Sequence, residues 1–298
     1  MSRRMPYRVV AYVAVCCAPL LAPPSVVAQG QQGRAPSPQM REASRLDLDG
    51  KTTDARAILE QLLDTTSNPA AKADVQRAIA MSYALDGDCA HTATYESMVI
   101  DYWHSREQAD RSNAYYQQGE MADEAARVCI DAGDLDAAER WYRKGYALGM
   151  AEPEPQTHRK PLWDFRLAHA LGRIAARRGD AAEAQRQIAA ARRALDADSA
   201  IAAQQERFFP YLVGYVALYS HDPATAQAQF TRALAMKGNE NDPFLHCLLA
   251  MAEDQLGKHD EAAAHYREAY DLAKAHNPPS AFVRRYVRAT LRTAAPGT

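Results

Sequence analysis

The 298-residue chain carries 35 basic and 37 acidic side chains, 47% hydrophobic residues, nine histidines and five cysteines. Near-balanced charge gives no general pull towards nucleic acid or an anionic membrane, so no nucleic-acid partner is expected. Abundant alanine with few β-branched runs argues against a sheet and for an all-α chain.

Taken from the N-terminus, Arg3, Arg4 and Arg8 precede a mostly apolar run, Val9 to Ala22. Val26-Val27-Ala28 then ends in a small residue suited to cleavage before Gln29. That order predicts a secretory signal peptide over residues 1–28 and a secreted or periplasmic address in a bacterial envelope. The apolar run is too short, and too interrupted by Pro19, Pro23 and Pro24, to span a bilayer. Cys16 and Cys17 lack the small preceding residue that a lipoprotein signal carries. Without residues 1–28 the chain has 32 basic and 37 acidic groups and three cysteines, Cys89, Cys129 and Cys247. Nothing in the remainder reads as a membrane span, so no integral membrane protein is expected after cleavage. Residues 29–39, poor in large apolar side chains, read as a flexible leader.

From Met40 a hairpin pattern recurs. Its clearest copy runs from His246 to Tyr270, where a Gly257-Lys258 break separates two helical stripes. Similar breaks occur at Gly87-Asp88, Gly133-Asp134, Gly179-Asp180 and, without glycine, His221-Asp222. Glycine releases the helix C-terminus and aspartate caps the next N-terminus; in the last copy, Asp260 is the expected cap. Small residues on the second helices fall at 55, 92, 138, 184, 226 and 262, steps of 37, 46, 46, 42 and 36. The first helices carry Leu171-Gly172, Val213-Gly214 and Leu249-Ala250.

This set resembles the tetratricopeptide repeat family, whose period is about 34 residues. The resemblance implies a right-handed α-solenoid of about six stacked helix-turn-helix repeats over residues 40–275, with a capping helix at 279–294. The longer steps are explained by Ser105 to Ala114, Glu152 to Pro161 and Asp196 to Gln205. The family's tryptophan is replaced by Ala168, Pro210 and His246 in the three best copies.

Enzyme signals are weak. Asp47-Leu48-Asp49-Gly50 has the look of a calcium loop, but Arg45 and Arg56 occupy ligand positions. No His-Glu-x-x-His, phosphate loop or Gly-x-Ser-x-Gly elbow occurs, so no catalytic residue, metal or cofactor is expected. In the family the first helices line a concave groove. Carried over, that places Arg166, His169, Arg173 and Arg177 on one stripe and Phe208, Tyr211, Tyr215 and Tyr219 on the next. Arginine forks and tyrosine faces suit an extended, acidic ligand. The competing reading is that the arginines pair with acids and the tyrosines pack between repeats. Cys89 at one turn and Cys129 near the end of the next first helix are the candidate disulfide pair. The functional expectation is an exported, non-enzymatic adaptor for a protein or peptide segment. The alternatives are an accessory of envelope or exopolysaccharide assembly that binds an anionic glycan and, more remotely, a hydrolase.

Overall fold

The computed structural model describes residues 36–294. Of the two compact units into which the chain divides, Met1–Gln32 and Gly33–Thr298, only the second contains described residues. The expected signal peptide and most of the leader therefore lie outside the described residues.

Six antiparallel hairpins follow one another: α1 (Pro38–Leu48) with α2 (Thr52–Thr65), α3 (Pro69–Asp86) with α4 (Cys89–His104), and α5 (Arg111–Ala132) with α6 (Leu135–Met150). The series continues with α7 (Lys160–Arg177) and α8 (Ala181–Asp196), α10 (Phe209–Tyr219) and α11 (Pro223–Leu234), and α12 (Pro243–Gln255) and α13 (His259–Leu272). A short α9 (Ser199–Gln205) and a 3-10 turn (Glu206–Phe208) occupy the stretched connection between the fourth and fifth pairs. A last helix, α14 (Pro278–Ala294), follows the array. There is no strand among the described residues.

The turns explain why these residues make hairpins. Gly87, Gly133 and Gly179 adopt φ of 75°, 89° and 74°, the left-handed region that closes a helix. The following N–H then folds back: Asp88 donates to the Tyr83 carbonyl at 3.0 Å and Asp180 to that of Ala175 at 2.9 Å. Each aspartate carboxylate next accepts the N–H three residues on, as Asp134 does from Ala137 at 2.9 Å and Asp222 from Thr225 at 3.1 Å. In the fifth pair His221 takes the left-handed position at φ 58°. The sixth pair differs from the sequence expectation, because α13 starts one residue before Asp260. Lys258 stands at its cap without a side-chain bond, and Asp260 falls inside the first turn.

The recurring small residues are the contact points. Ala55, Thr92, Ala138, Ala184, Ala226 and Ala262 are all fully buried. A larger side chain there would push the paired helices apart. The third and fourth pairs are joined differently. Trp163 of α7 sits in a slot where Gly119 and Gly149 present bare backbone, and a Cβ on Gly149 would lie 2.1 Å from its ring. The Glu152 to Pro161 loop is held by the buried Glu152 carboxylate, which accepts N–H bonds from Thr157 at 2.9 Å and His158 at 3.0 Å. Cys89 and Cys129 form a disulfide with Cα atoms 4.7 Å apart, tying the second pair to the third.

The last helix reaches further than a cap on α13 would. One side of α14 buries Val283 and Val287 against Cys247, Ala250 and Tyr266 of α12 and α13. Ala281 packs instead with Ala80, Ala84 and Leu85 of α3 and Val128 of α5. Its arginines collect helix C-termini. Arg284 donates to the Leu48 carbonyl at 2.8 Å and to that of Ala273, Arg288 also reaches Leu48, and Arg285 lies over the ends of α3 and α5. A helix C-terminus has unpaired carbonyls and a partial negative charge, and guanidinium answers both. Asp47, at the position that resembled a calcium loop, is instead fully buried between Ser82 at 2.7 Å and His276 at 2.8 Å.

Candidate ligand groove

Groups from five helices lie within electrostatic reach of Asp131, at the end of α5, and Arg285 donates to its carbonyl at 3.4 Å. Arg173, Arg177, Arg285 and Arg127 all act on its carboxyl, and it in turn acts on Tyr211, Tyr215, Tyr219 and Cys247. The first helices of the third to sixth pairs, together with α14, thus share one inner face.

Most of the residues singled out in the sequence meet there. Arg173 is 5% exposed and donates to the hydroxyls of Tyr142 at 2.8 Å and Tyr211 at 2.9 Å, and to the His169 carbonyl at 3.3 Å. Arg177, half-buried, donates to the Tyr215 hydroxyl at 3.3 Å and lies 4.9 Å over the Tyr219 ring. Tyr215 is 1% exposed, whereas Tyr211 and Tyr219 keep part of their surface open. His169 is buried edge-on to Tyr211, ring centres 4.7 Å apart. Burial, with Arg173 and Arg127 close by, holds its pKa well below the usual histidine range, so the ring is neutral.

Two of the eight sit elsewhere. Arg166 turns back to α5, where it pairs with Glu120, lies 3.8 Å from Asp123, and faces the Tyr116 ring at 5.2 Å. Phe208 belongs to the 3-10 turn before α10 rather than to its stripe, because Pro210 fixes the helix start at Phe209. It packs instead against the apolar cluster of α7 and α8, under the Arg207 guanidinium at 4.6 Å.

The sequence reading missed the acids opposite. Glu120, Asp123, Glu124, Arg127 and Asp131 recur at helical spacing along α5, a stripe that counting threes and fours would have found. Burial would raise Glu120, but Arg166 and Arg127 pull it down to about 2. For Asp123 and Asp131, burial outweighs the nearby arginines and pushes each up to about 7. Further along, Arg77 of α3 pairs with Glu124. The pKa of the fully buried Glu96 of α4 is driven well above the carboxylate range by burial and by the neighbouring Glu124. Cys247 is buried and reduced, its thiol pushed up by burial.

An open cleft of about 480 Å³ lies on the opposite side of α7, lined by Tyr146, Leu167, Leu171, Gln187, Ala190 and Arg193 among others. Among the described residues no three metal-ligating side chains cluster, and no helix is long and apolar enough to cross a membrane.

Residues 245–276 match the tetratricopeptide repeat family. That segment is the α12–α13 pair. A comparison with curated proteins found no match. Among solved structures, the MamA protein aligns over 65% of this chain and 91% of its own, at 16% identity and a TM-score of 0.31. The apo form of RapI aligns over 86% of this chain and 71% of its own, at 14% identity and a TM-score of 0.33.

Proposed function

We propose that the chain is an exported, non-enzymatic adaptor that holds a protein or peptide segment against the inner face of its first helices. The observation that carries this reading is the preorganised pair of ridges on α7 and α10. Arg177 is steered by the Tyr215 hydroxyl and the Tyr219 ring while remaining partly open. Side chains already fixed in place lose little freedom when a ligand arrives. Stacked hairpins present such a face over several repeats, which suits an extended segment better than a small molecule. The repeat match at residues 245–276 agrees with a role in protein interaction. The basic and apolar N-terminal segment supports export, and a Cys89–Cys129 disulfide suits an oxidising compartment.

The test is position-dependent crosslinking. A photoreactive phenylalanine analogue at Tyr219 is expected to give a discrete protein adduct from envelope extract. The same analogue at the exposed Glu261 of α13 gives none. Equal labelling from both positions, or none from Tyr219, overturns the reading. Arg177→Glu then removes the adduct; Arg173 is unsuitable for this purpose, since its guanidinium is buried between two tyrosines.

A further inference from the structure

We infer that the last hairpin holds a divalent transition-metal ion of the zinc class between Nδ1 of His246 on α12 and Nε2 of His265 on α13. This site is independent of the adaptor reading.

The first observation is the state of the two rings. His246 Nε2 meets the Glu240 carbonyl at 3.1 Å, and His265 Nδ1 meets the Glu253 carboxylate at 2.7 Å. Both partners are oxygen acceptors, so in each neutral ring the proton sits on the nitrogen that faces the oxygen. The lone pair is then left on the opposite nitrogen. In His246 that is Nδ1, which is buried and has no hydrogen-bond partner among the described residues. In His265 it is Nε2, on a side chain 33% exposed, which gives an ion a way in. A buried acceptor left bare costs free energy that a bound ion would return. Backbone carbonyls and carboxylates are the supports that fix the tautomer of a metal-binding histidine, and here one ring has each.

The second observation is placement. The two ring centres are 5.8 Å apart and the planes are tilted by 36°. An ion held by two imidazoles at about 2.0–2.1 Å from each nitrogen leaves the ring centres roughly 5–6 Å apart. No third metal-ligating side chain clusters here among the described residues, so water would complete the coordination. The histidines stand on opposite arms of one hairpin, 19 positions apart, where no single-helix motif would reveal them.

The surrounding charge suits a cation. Glu253 is 3% exposed, its carboxylate against His265 on one side and Gln227 at 3.5 Å on the other. Asp242, which caps α12, lies within electrostatic reach of His246. Glu261 and Glu268, one turn to either side of His265, are exposed on α13. The basic groups nearby are engaged elsewhere: Arg207 donates to the Gly238 carbonyl at 3.0 Å and Lys258 to Gln227 at 2.9 Å. Arg267, two positions from His265, falls off this face. Imidazole selects zinc, copper or nickel, whereas calcium and magnesium prefer an all-oxygen shell.

The experiment is calorimetric titration of the untagged full chain with zinc chloride and with calcium chloride at about pH 7.5, where an ordinary imidazole is neutral. Zinc is expected to bind and calcium not. His246→Gln and His265→Gln should each remove one zinc equivalent, while His259→Gln, at the exposed start of α13, should keep it. Glu253→Gln still offers the ring an acceptor but no charge, and should weaken zinc by about tenfold to a hundredfold. The melting temperature of the parent should rise with zinc concentration and that of His265→Gln should not. Imidazole nitrogen NMR of the parent needs no variant to fold: zinc should move the resonances of His246 Nδ1 and His265 Nε2. Unmoved resonances overturn the proposal. So does zinc binding that survives both histidine substitutions, or calcium binding of equal strength.

Discussion

Gly87 and Gly133 hold the same left-handed turn, but only one of them is crowded. A Cβ on Gly87 would lie 1.7 Å from Nη1 of Arg285, while one on Gly133 would meet nothing within 4 Å. Gly133→Ala should therefore cost only the backbone term, about 1–2 kcal/mol, measured by urea unfolding. Gly87→Ala should cost more than Gly133→Ala, because it also displaces Arg285 from the ends of α3 and α5. Equal losses would show that Arg285 moves aside freely. Asp131 offers a second test at this scale. Its folded pKa, near 7, is raised above the ordinary value of 3.8. A carboxyl raised in this way favours folding while protonated, and that contribution is lost as pH rises from about 4 through 7. Asp131→Asn should thus gain stability relative to the parent as pH rises through that window, with no further gain above it. A difference in urea midpoint that is the same at pH 5 and pH 8 would sink this assignment.

At the scale of helices and turns, the disulfide and the last helix carry the clearest predictions. Cys89 and Cys129 are separated by 40 residues. Replacing both by serine should cost roughly 3–4 kcal/mol on the chain-entropy estimate for a loop of that size. Unaltered denaturation, or unaltered mobility of the parent on a gel with and without reductant, would count against the bond. The hairpins themselves were legible because their signals are local. A glycine, an aspartate and a small residue a few positions on are read within one turn of chain, and the residues at 55, 92, 138, 184, 226 and 262 are indeed buried. The partners of Arg166 and Arg173 were not legible in the same way. Glu120 lies 46 residues before Arg166, and Tyr142 lies 31 before Arg173. Those pairings depend on the register between neighbouring hairpins, which the stretched connections obscure. Phe208 was drawn into the α10 stripe by its spacing, and Pro210 marks where that helix begins.

For the molecule as a whole, α14 changes what the two ends of the array mean to each other. Its contacts with Leu48 are hidden from sequence reading because a backbone carbonyl has no residue type to recognise. Deleting residues 278–298 should raise amide exchange in α1 and α3 as well as in α12 and α13. Exchange altered only in the last pair would make α14 an ordinary cap. Arg284 and Leu48 are 236 positions apart, and His276 and Asp47 are 229 apart. Stacked repeats ordinarily come undone from either terminus, since each unit leans only on its neighbours. A buckle between the opening and closing segments removes both loose ends, so this array should melt as a single unit rather than fray. It also means that the earliest hairpin made is left without its matching surface until almost the final turn of helix has been added.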